Sequence, residues 1–331
     1  MEFYPSFKQL SRLIPNTVAG PIAAALLAFP ALGDDPPGLF KSRAAGSTAA
    51  LGAEAPAPIQ DFAKVCAADQ PDLGQWRVSG GLKRELWAAR LTCVADQAAD
   101  KPRALRLEVR PGDAYDPNPG DNPTERVEIQ IRRELVKFEQ PIWYSFRFRL
   151  AQPWLARQNR TVIHQIKQNI APDWEISQGG QCPSANPFFK IEAGHRPEAG
   201  GAAFVVKTRG TDNCRDGKAG AISCGPWPLE PGRWHRVHVA LRASQRDGQS
   251  DLRVWLDGRP CAPFTGRLGY TDHGKRDADG KPEIDAQPRF GLYRDALPDA
   301  VQVIDFADIS FWDADPASHP AWAGIGLKQA P

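Results

Sequence analysis

The chain has 331 residues, of which 42% are hydrophobic and 24% charged, the make-up of a soluble, core-forming protein. This argues against disorder, a fibre or a multi-span membrane protein for the bulk of the chain. Lys+Arg 41 against Asp+Glu 39 leaves a net charge of +2, so a strongly basic nucleic-acid binder is excluded. Any electrostatic function rests on where the charges sit.

At the start of the chain, Lys8 and Arg12 precede a mostly apolar stretch from Val18 to Leu32, which closes in small residues before Asp34 and Asp35. That order is the pattern of a secretory signal peptide, and the apolar part is short for a bilayer span. Residues 1–33 are therefore expected to be a leader, with a weak anchor or a buried helix as the alternative. The mature protein is expected to be secreted or periplasmic and free of the membrane. Residues 34–58 are rich in Pro, Gly, Ala and Ser and read as a disordered linker. Residues 59–331 read as one domain.

The six cysteines, Cys66, Cys93, Cys182, Cys214, Cys224 and Cys261, include no CxxC pair. Wide spacing argues against zinc and for disulfides made in an oxidising compartment. The favoured pairings are Cys66 with Cys93 and Cys224 with Cys261; buried free thiols are the alternative. Asn159-Arg160-Thr161 is a glycosylation sequon, a pattern common by chance.

From Ile59 onward, short alternating runs are broken by Gly, Pro, Asn and Asp. Residues 103–110, 125–135, 143–150, 161–168, 188–192, 203–208, 234–241, 252–256, 289–293 and 301–311 read as strands. No long amphipathic helix is visible. The expected fold is all-β, an antiparallel two-sheet β-sandwich of jelly-roll, concanavalin-like type with a concave groove. Asp257-Gly258 after an apolar strand predicts a hairpin.

Alternation along residues 125–133 places Val127, Ile129 and Ile131 on one face and Arg126, Glu128, Gln130 and Arg132 on the other. In residues 162–168, Gln165 and Lys167 share a face with Ile163, while Val162, His164 and Ile166 share the opposite one. Lys190, and Lys207 with Arg209, repeat the alternation of a cation with core residues. If these strands are neighbours, one sheet face collects the cations and suits a polyanion.

Three of these strands carry a resemblance. Arg126-Val127-Glu128-Ile129-Gln130 resembles the Arg-x-Glu-Leu-x strand of jelly-roll polysaccharide lyases, Gln165-Ile166-Lys167 their Gln-x-His strand, and Arg289-Phe290-Gly291-Leu292-Tyr293 their Lys-x-Gly-x-Tyr strand. The segments at 232–239 and 254–258 are similar to the Gly-x-Trp-His and Val-Trp-x-(Asn/Asp)-Gly strands of the heparin lyase I-like branch. The likeness spans roughly Leu105 to Trp312. It implies an exported carbon–oxygen lyase that acts as a monomer on an acidic, uronate-containing polysaccharide.

β-Elimination of a uronate chain requires neutralising the carboxylate, removing the proton at C5 and protonating the leaving oxygen at C4. The resemblance gives Arg126 and Gln165 to the carboxylate and Tyr293 to proton transfer, since nearby cations favour a phenolate. Glu128 reads as a clamp on Arg126. Gln130, Arg132, Lys190, Lys207, Arg209 and Arg289 are expected to bind substrate. Lys167 stands where the family has histidine and Arg289 where lysine is usual. Lys167 serves as base only if strongly desolvated, so it reads as a neutraliser, with the base role passing to Tyr293. His164 is turned away unless a one-residue bulge intervenes.

Several tempting residues carry less. His235 and His238, three apart in a strand, lie on opposite faces and share no metal. Residues 283–287 begin like a glycoside hydrolase Glu-x-Asp-x-Glu strand, but Gln287 removes the third carboxylate. Asp113, Asp116 and Asp121 are candidates for a structural calcium; their spacing matches no known calcium loop, and a solvated turn is expected. Trp154, Trp174 and Trp227 are candidates for stacking on sugars, or core. A non-catalytic carbohydrate-binding protein and a concanavalin-like glycoside hydrolase are the rival readings.

Overall fold

The computed structural model describes residues 55–67, 70–79, 81–95, 103–117, 122–131, 135–154, 160–168, 187–211, 221–270 and 285–326, all within one compact unit. The expected leader, most of the linker, Asp121, Arg132, Asn159, Trp174, Cys182, Cys214 and Glu283 lie outside the described residues.

In chain order the first strands are β1 (Gln60–Asp61), β2 (Trp76–Ser79), β3 (Leu91–Ala95), β4 (Arg103–Val109), β5 (Thr124–Ile131), β6 (Val136–Lys137) and β7 (Pro141–Leu150). Next come β8 (Thr161–Gln168), β9 (Phe189–Glu192), β10 (His195–Arg196), β11 (Gly201–Thr208), β12 (Gly210–Thr211) and β13 (Ala221–Pro228). The last are β14 (Trp234–Arg242), β15 (Asp251–Leu256), β16 (Arg259–Pro260), β17 (Gly269–Tyr270), β18 (Asp285–Asp295) and β19 (Gln302–Trp312). The one described α-helix is a single turn, Trp87–Arg90. The sequence pattern predicts ten of these strands and misses β2, β3 and β13 together with the two-residue strands β1, β6, β10, β12, β16 and β17.

Two antiparallel sheets stack as a jelly-roll β-sandwich. The front sheet runs β10-β11-β9-β8-β18-β5-β2, with β13 on β11 and β6 on β18; the back sheet runs β16-β15-β14-β7-β19-β4-β3, with β1 on β19. Each sheet turns one apolar face inward, as alternation demands. Val127, Ile129, Ile131, Phe290 and Leu292 from the front meet Tyr144, Phe146, Phe148, Phe306 and Phe311 from the back in one buried cluster. The Asp257-Gly258 turn has φ of +52° and +82° and joins β15 to β16, the hairpin geometry that dipeptide favours. Cys66–Cys93 and Cys224–Cys261 are disulfides.

His164 belongs to this core. It is fully buried, stacked on Phe290 at 4.4 Å, with Nδ1 2.8 Å from the Arg289 carbonyl and Nε2 2.8 Å from the Tyr144 hydroxyl. A carbonyl only accepts, so Nδ1 carries the proton and the Tyr144 hydroxyl donates to Nε2. A bulge is indeed present in β8, between Val162 and His164, but it acts on other residues. It turns Ile163 inward beside His164 and leaves Val162 opposite Tyr293 and Glu192, on the outer face. The expected grouping of Ile163 with Gln165 and Lys167 is thereby corrected.

Part of the outer face of the back sheet is covered by the C-terminal segment. Trp143, Ala240, Trp255 and Trp312 form a second buried cluster under the C-terminal segment, whose 3-10 turn Pro320–Trp322 inserts Trp322. His238 points into this cluster and donates from Nε2 to the Ala321 carbonyl at 2.8 Å, whereas His235 packs on Phe148 and bonds Asp257. The two histidines face opposite sides of β14, as alternation predicts. Asp113 is not a solvated turn: it is buried in a two-point ion pair with Arg90. Among the described residues no cluster of three metal-ligating side chains occurs.

Burial holds the His164 imidazole neutral down to about pH 3 and that of His238 to about pH 4. In the unfolded chain both titrate near 6.5, so below that pH the unfolded state binds protons the native state refuses. Stability is therefore full above about pH 6.5 and declines as the pH falls toward the native values. Between pH 7 and pH 5 the loss is about 2 kcal/mol per histidine. Denaturant midpoints should fall over that range, and His238→Gln, less stable at pH 7, should give a flatter profile; equal slopes for the two proteins would contradict the assignment.

Candidate active site

The outer face of the front sheet is built from rows of directly opposed residues. One row crosses six strands: Arg77 of β2, Gln130 of β5, Arg289 of β18, Gln165 of β8, Lys190 of β9 and Lys207 of β11. A second row holds Arg126, Tyr293, Val162 and Glu192. Between these rows Glu128 faces Gly291, and beyond the first row Lys167 faces Gln287. Side chains directly opposed in a ladder share a face, so Arg126, Gln165, Lys167 and Tyr293 all stand on this one.

Tyr293 and Arg126 are in contact, the guanidinium carbon lying 4.6 Å from the ring centroid. Arg160, just ahead of β8, brings Nη1 to 3.4 Å from the Tyr293 hydroxyl and is anchored by Asp295 at 3.1 Å. Arg126 also pairs with Asp116 at 3.5 Å, while Glu128 Oε1 accepts from Gln165 Nε2 at 2.5 Å. The expected clamp is thus reassigned: Glu128 holds Gln165, and Asp116 holds Arg126. Gln130 donates to Gln287 Oε1 at 2.7 Å and Arg77 to the same oxygen at 3.3 Å.

Further across, the buried carboxylate of Glu192 gathers Lys207 at 2.8 Å, Arg196 at 3.4 Å and Lys190 at 3.5 Å. Burial lowers the Lys190 pKa below the ordinary lysine value; Glu192 opposes the shift, and the charges of Lys207 and Arg209 add to it. Arg209 thus stands within electrostatic reach of Lys190. Burial likewise lowers the Arg289 pKa, with Arg126 and Arg77 acting in the same sense against Glu128. Arg126 Nε, Arg289 Nε and Glu128 Oε2 are buried and find no protein partner.

The structure also places residues that sequence reasoning passed over. Arg77 alternates with Trp76 and Val78, a signal present in the sequence though the strand is short. Glu192 shares the parity of Lys190. Arg160 precedes its strand, where no periodicity reports on it. Trp154 donates to the Ala193 carbonyl, and Trp227 lies between Phe204 and the Arg259 guanidinium at 4.1 Å.

A family model described as polysaccharide lyase matches residues 71–313. Spanning well over half of the chain, that match shows that this protein belongs to the polysaccharide lyase family, and it is a lyase that acts on polysaccharides. No curated protein matches the chain in sequence. Among solved structures, an endo-β-1,4-glucuronan lyase from the fungus Trichoderma reesei is similar at 17% identity and a TM-score of 0.50, covering 75% of this chain and 97% of that one. An alginate lyase bound to an alginate trisaccharide follows at 11% identity, 68% and 84% coverage and a TM-score of 0.42. A cellulose-induced protein has 13% identity, 74% and 94% coverage and a TM-score of 0.43. The first of these likenesses concerns the fold.

Gly291 sets the approach of β18 to β5. Its φ is +149°, and a Cβ there would lie 2.2 Å from the Val127 carbonyl oxygen and 2.6 Å from the Glu128 Cα. Gly291→Ala should therefore cost roughly 2–4 kcal/mol of stability and displace Tyr293 from Arg126. Chemical denaturation and activity on one preparation check this; an alanine variant with native midpoint and rate would contradict it.

Proposed function

We propose that this lyase cleaves an acidic, uronate-containing polysaccharide by β-elimination, with Tyr293 moving the proton. The observation that carries the reading is Tyr293, with Arg126 over its ring and Arg160 at its hydroxyl, beside a row of cations on one sheet face. The C5–H electron pair becomes the C4=C5 double bond as the C4–O4 bond breaks, and the proton taken at C5 returns to O4. One tyrosine serves both steps in a syn elimination: its phenolate takes the C5 proton, the resulting phenol gives that proton to O4, and the side chain ends as the phenolate it began as. Arg126, whose guanidinium lies over the Tyr293 ring, neutralises the uronate carboxylate, and Gln165, fixed by Glu128, adds a donor.

Arg289, Gln130, Lys190, Lys207 and Arg209 hold neighbouring units of the polyanion. Lys167 belongs with them and is not the base. It stands opposite Gln287, six residues along β18 from Tyr293, which is about 20 Å of backbone by strand rise. The disulfides fit a protein that folds in an oxidising compartment, secreted or periplasmic, and meets its polymer there.

New ultraviolet absorbance on incubation with glucuronan, alginate, heparan-type or pectic chains tests the reaction, because only elimination creates the unsaturated uronate. Glucuronan, the substrate named for the T. reesei lyase, comes first in that panel. No absorbance from any uronate chain would end the reading. Tyr293→Phe should lower kcat by about 10²–10⁴ with little change in KM. Lys190→Ala and Lys207→Ala should instead raise KM and its salt sensitivity while kcat largely persists. Equal kcat losses in all three would contradict this division of roles.

For Lys167, the charge alone is needed, so Lys167→Arg should keep most of kcat. Lys167→His should lose binding as the pH rises above about 6.5 and the imidazole becomes neutral. A dead arginine variant beside a fully active histidine variant would make Lys167 the base.

A further inference from the structure

The outer face holds a group that the resemblance does not supply. Arg160 lies outside the three strand motifs, yet it is the residue whose donor reaches the Tyr293 hydroxyl, at 3.4 Å, with its guanidinium carbon 5.9 Å from the ring centroid. Asp295 forms an ion pair with Arg160, its Oδ1 3.1 Å from Nε, and lies two residues after Tyr293 on the same strand. The arginine and the tyrosine it addresses are therefore fixed to one piece of backbone. Asp295 is only 14% exposed and Arg160 20%, which favours a held geometry over a solvated pair.

We propose that Arg160 is the positioning residue of the proton-transferring tyrosine; this rests on the role given to Tyr293 above. A guanidinium has no acceptor, so its N–H must donate to the phenolic oxygen. With that lone pair occupied, the remaining lone pair and the O–H bond are left for the substrate side. When the phenolate takes the C5 proton its negative charge is discharged, and when the proton passes to O4 the charge returns; Arg160 faces the oxygen in both states. A charge-assisted donor stabilises the anion more than the phenol. Arg126, by contrast, addresses the ring of Tyr293 and pairs with Asp116. The two arginines divide the work: Arg126 serves substrate and Arg160 serves the tyrosine. Asp295 keeps Arg160 from folding into the groove as one more substrate cation.

Steady-state kinetics on Arg160→Gln, Arg160→Lys, Asp295→Asn and Tyr293→Phe, singly and combined, test this. Arg160→Gln should lower kcat on the order of 10- to 100-fold with KM changed less than about twofold. Arg160→Lys should recover part of that loss, and Asp295→Asn should fall between. In the Tyr293→Phe background Arg160→Gln should cost nothing further, because the hydroxyl it acts through is gone. A rise in KM at unchanged kcat would make Arg160 a substrate-binding cation, and a full additional loss in the Tyr293→Phe background would show that it acts elsewhere; either overturns the proposal. If Tyr293→Phe itself keeps native kcat, the reading of Tyr293 has failed, a result separable from failure of the role given to Arg160. Circular dichroism and thermal melts on each variant separate kinetic loss from unfolding.

Discussion

The site depends on how closely β18 can lie against β5. A strand in the middle of a sheet normally carries a side chain at every position, and the pleat gives each neighbour room. At Gly291 that room is missing: the space a Cβ would need is filled by the Val127 carbonyl and the Glu128 backbone. The register of β18 with β8 also shifts between Phe290 and Tyr293. The outcome is a centre where Phe290 stays stacked on His164 in the core while Tyr293, three residues on, faces outward against Arg126. Core and site are thus set by the same four residues of one strand.

Burying so many charges on one face is costly unless each finds a partner. The front sheet meets that cost with a few carboxylates set among the cations. Glu192 answers three cations, and Asp116 and Asp295 each answer an arginine beside Tyr293. Since Glu192 balances one of its three neighbours, the face keeps an excess of positive charge, directed by fixed ion pairs. On the proposed reading, a polyanion would meet cations whose positions are already determined, which lowers the ordering cost of binding. This also accounts for the near-neutral whole: the asymmetry lies in placement.

Much of the architecture was legible because strand periodicity is strict. Alternation alone placed Val127, Ile129 and Ile131 inward and Arg126, Glu128 and Gln130 outward, and the Asp257-Gly258 turn was visible in its dipeptide. Alternation failed where the count of residues changed. The β8 bulge exchanged Ile163 and Val162 between faces, and no local composition announces such an insertion. Partner choice was less legible still. Glu128 stands beside Arg126 in the motif, yet it bonds Gln165 from the far side of β18, because Gly291, the β18 residue opposite Glu128, carries no side chain to stand between them. Arg77 and Arg160 lie in short or pre-strand segments where periodicity has too few points to be read.

The tryptophan seam under the C-terminal segment has a consequence for how the protein can be observed. Trp143, Trp255, Trp312 and Trp322 are packed together on the outer side of the back sheet, sealed by a short turn and by the His238 bond to Ala321. Four emitters are thus concentrated on the side of the sandwich opposite Tyr293. Intrinsic fluorescence of this lyase therefore carries a component that reports on whether its C-terminal cover is seated, separate from that of Trp76 and Trp227 on front-sheet strands.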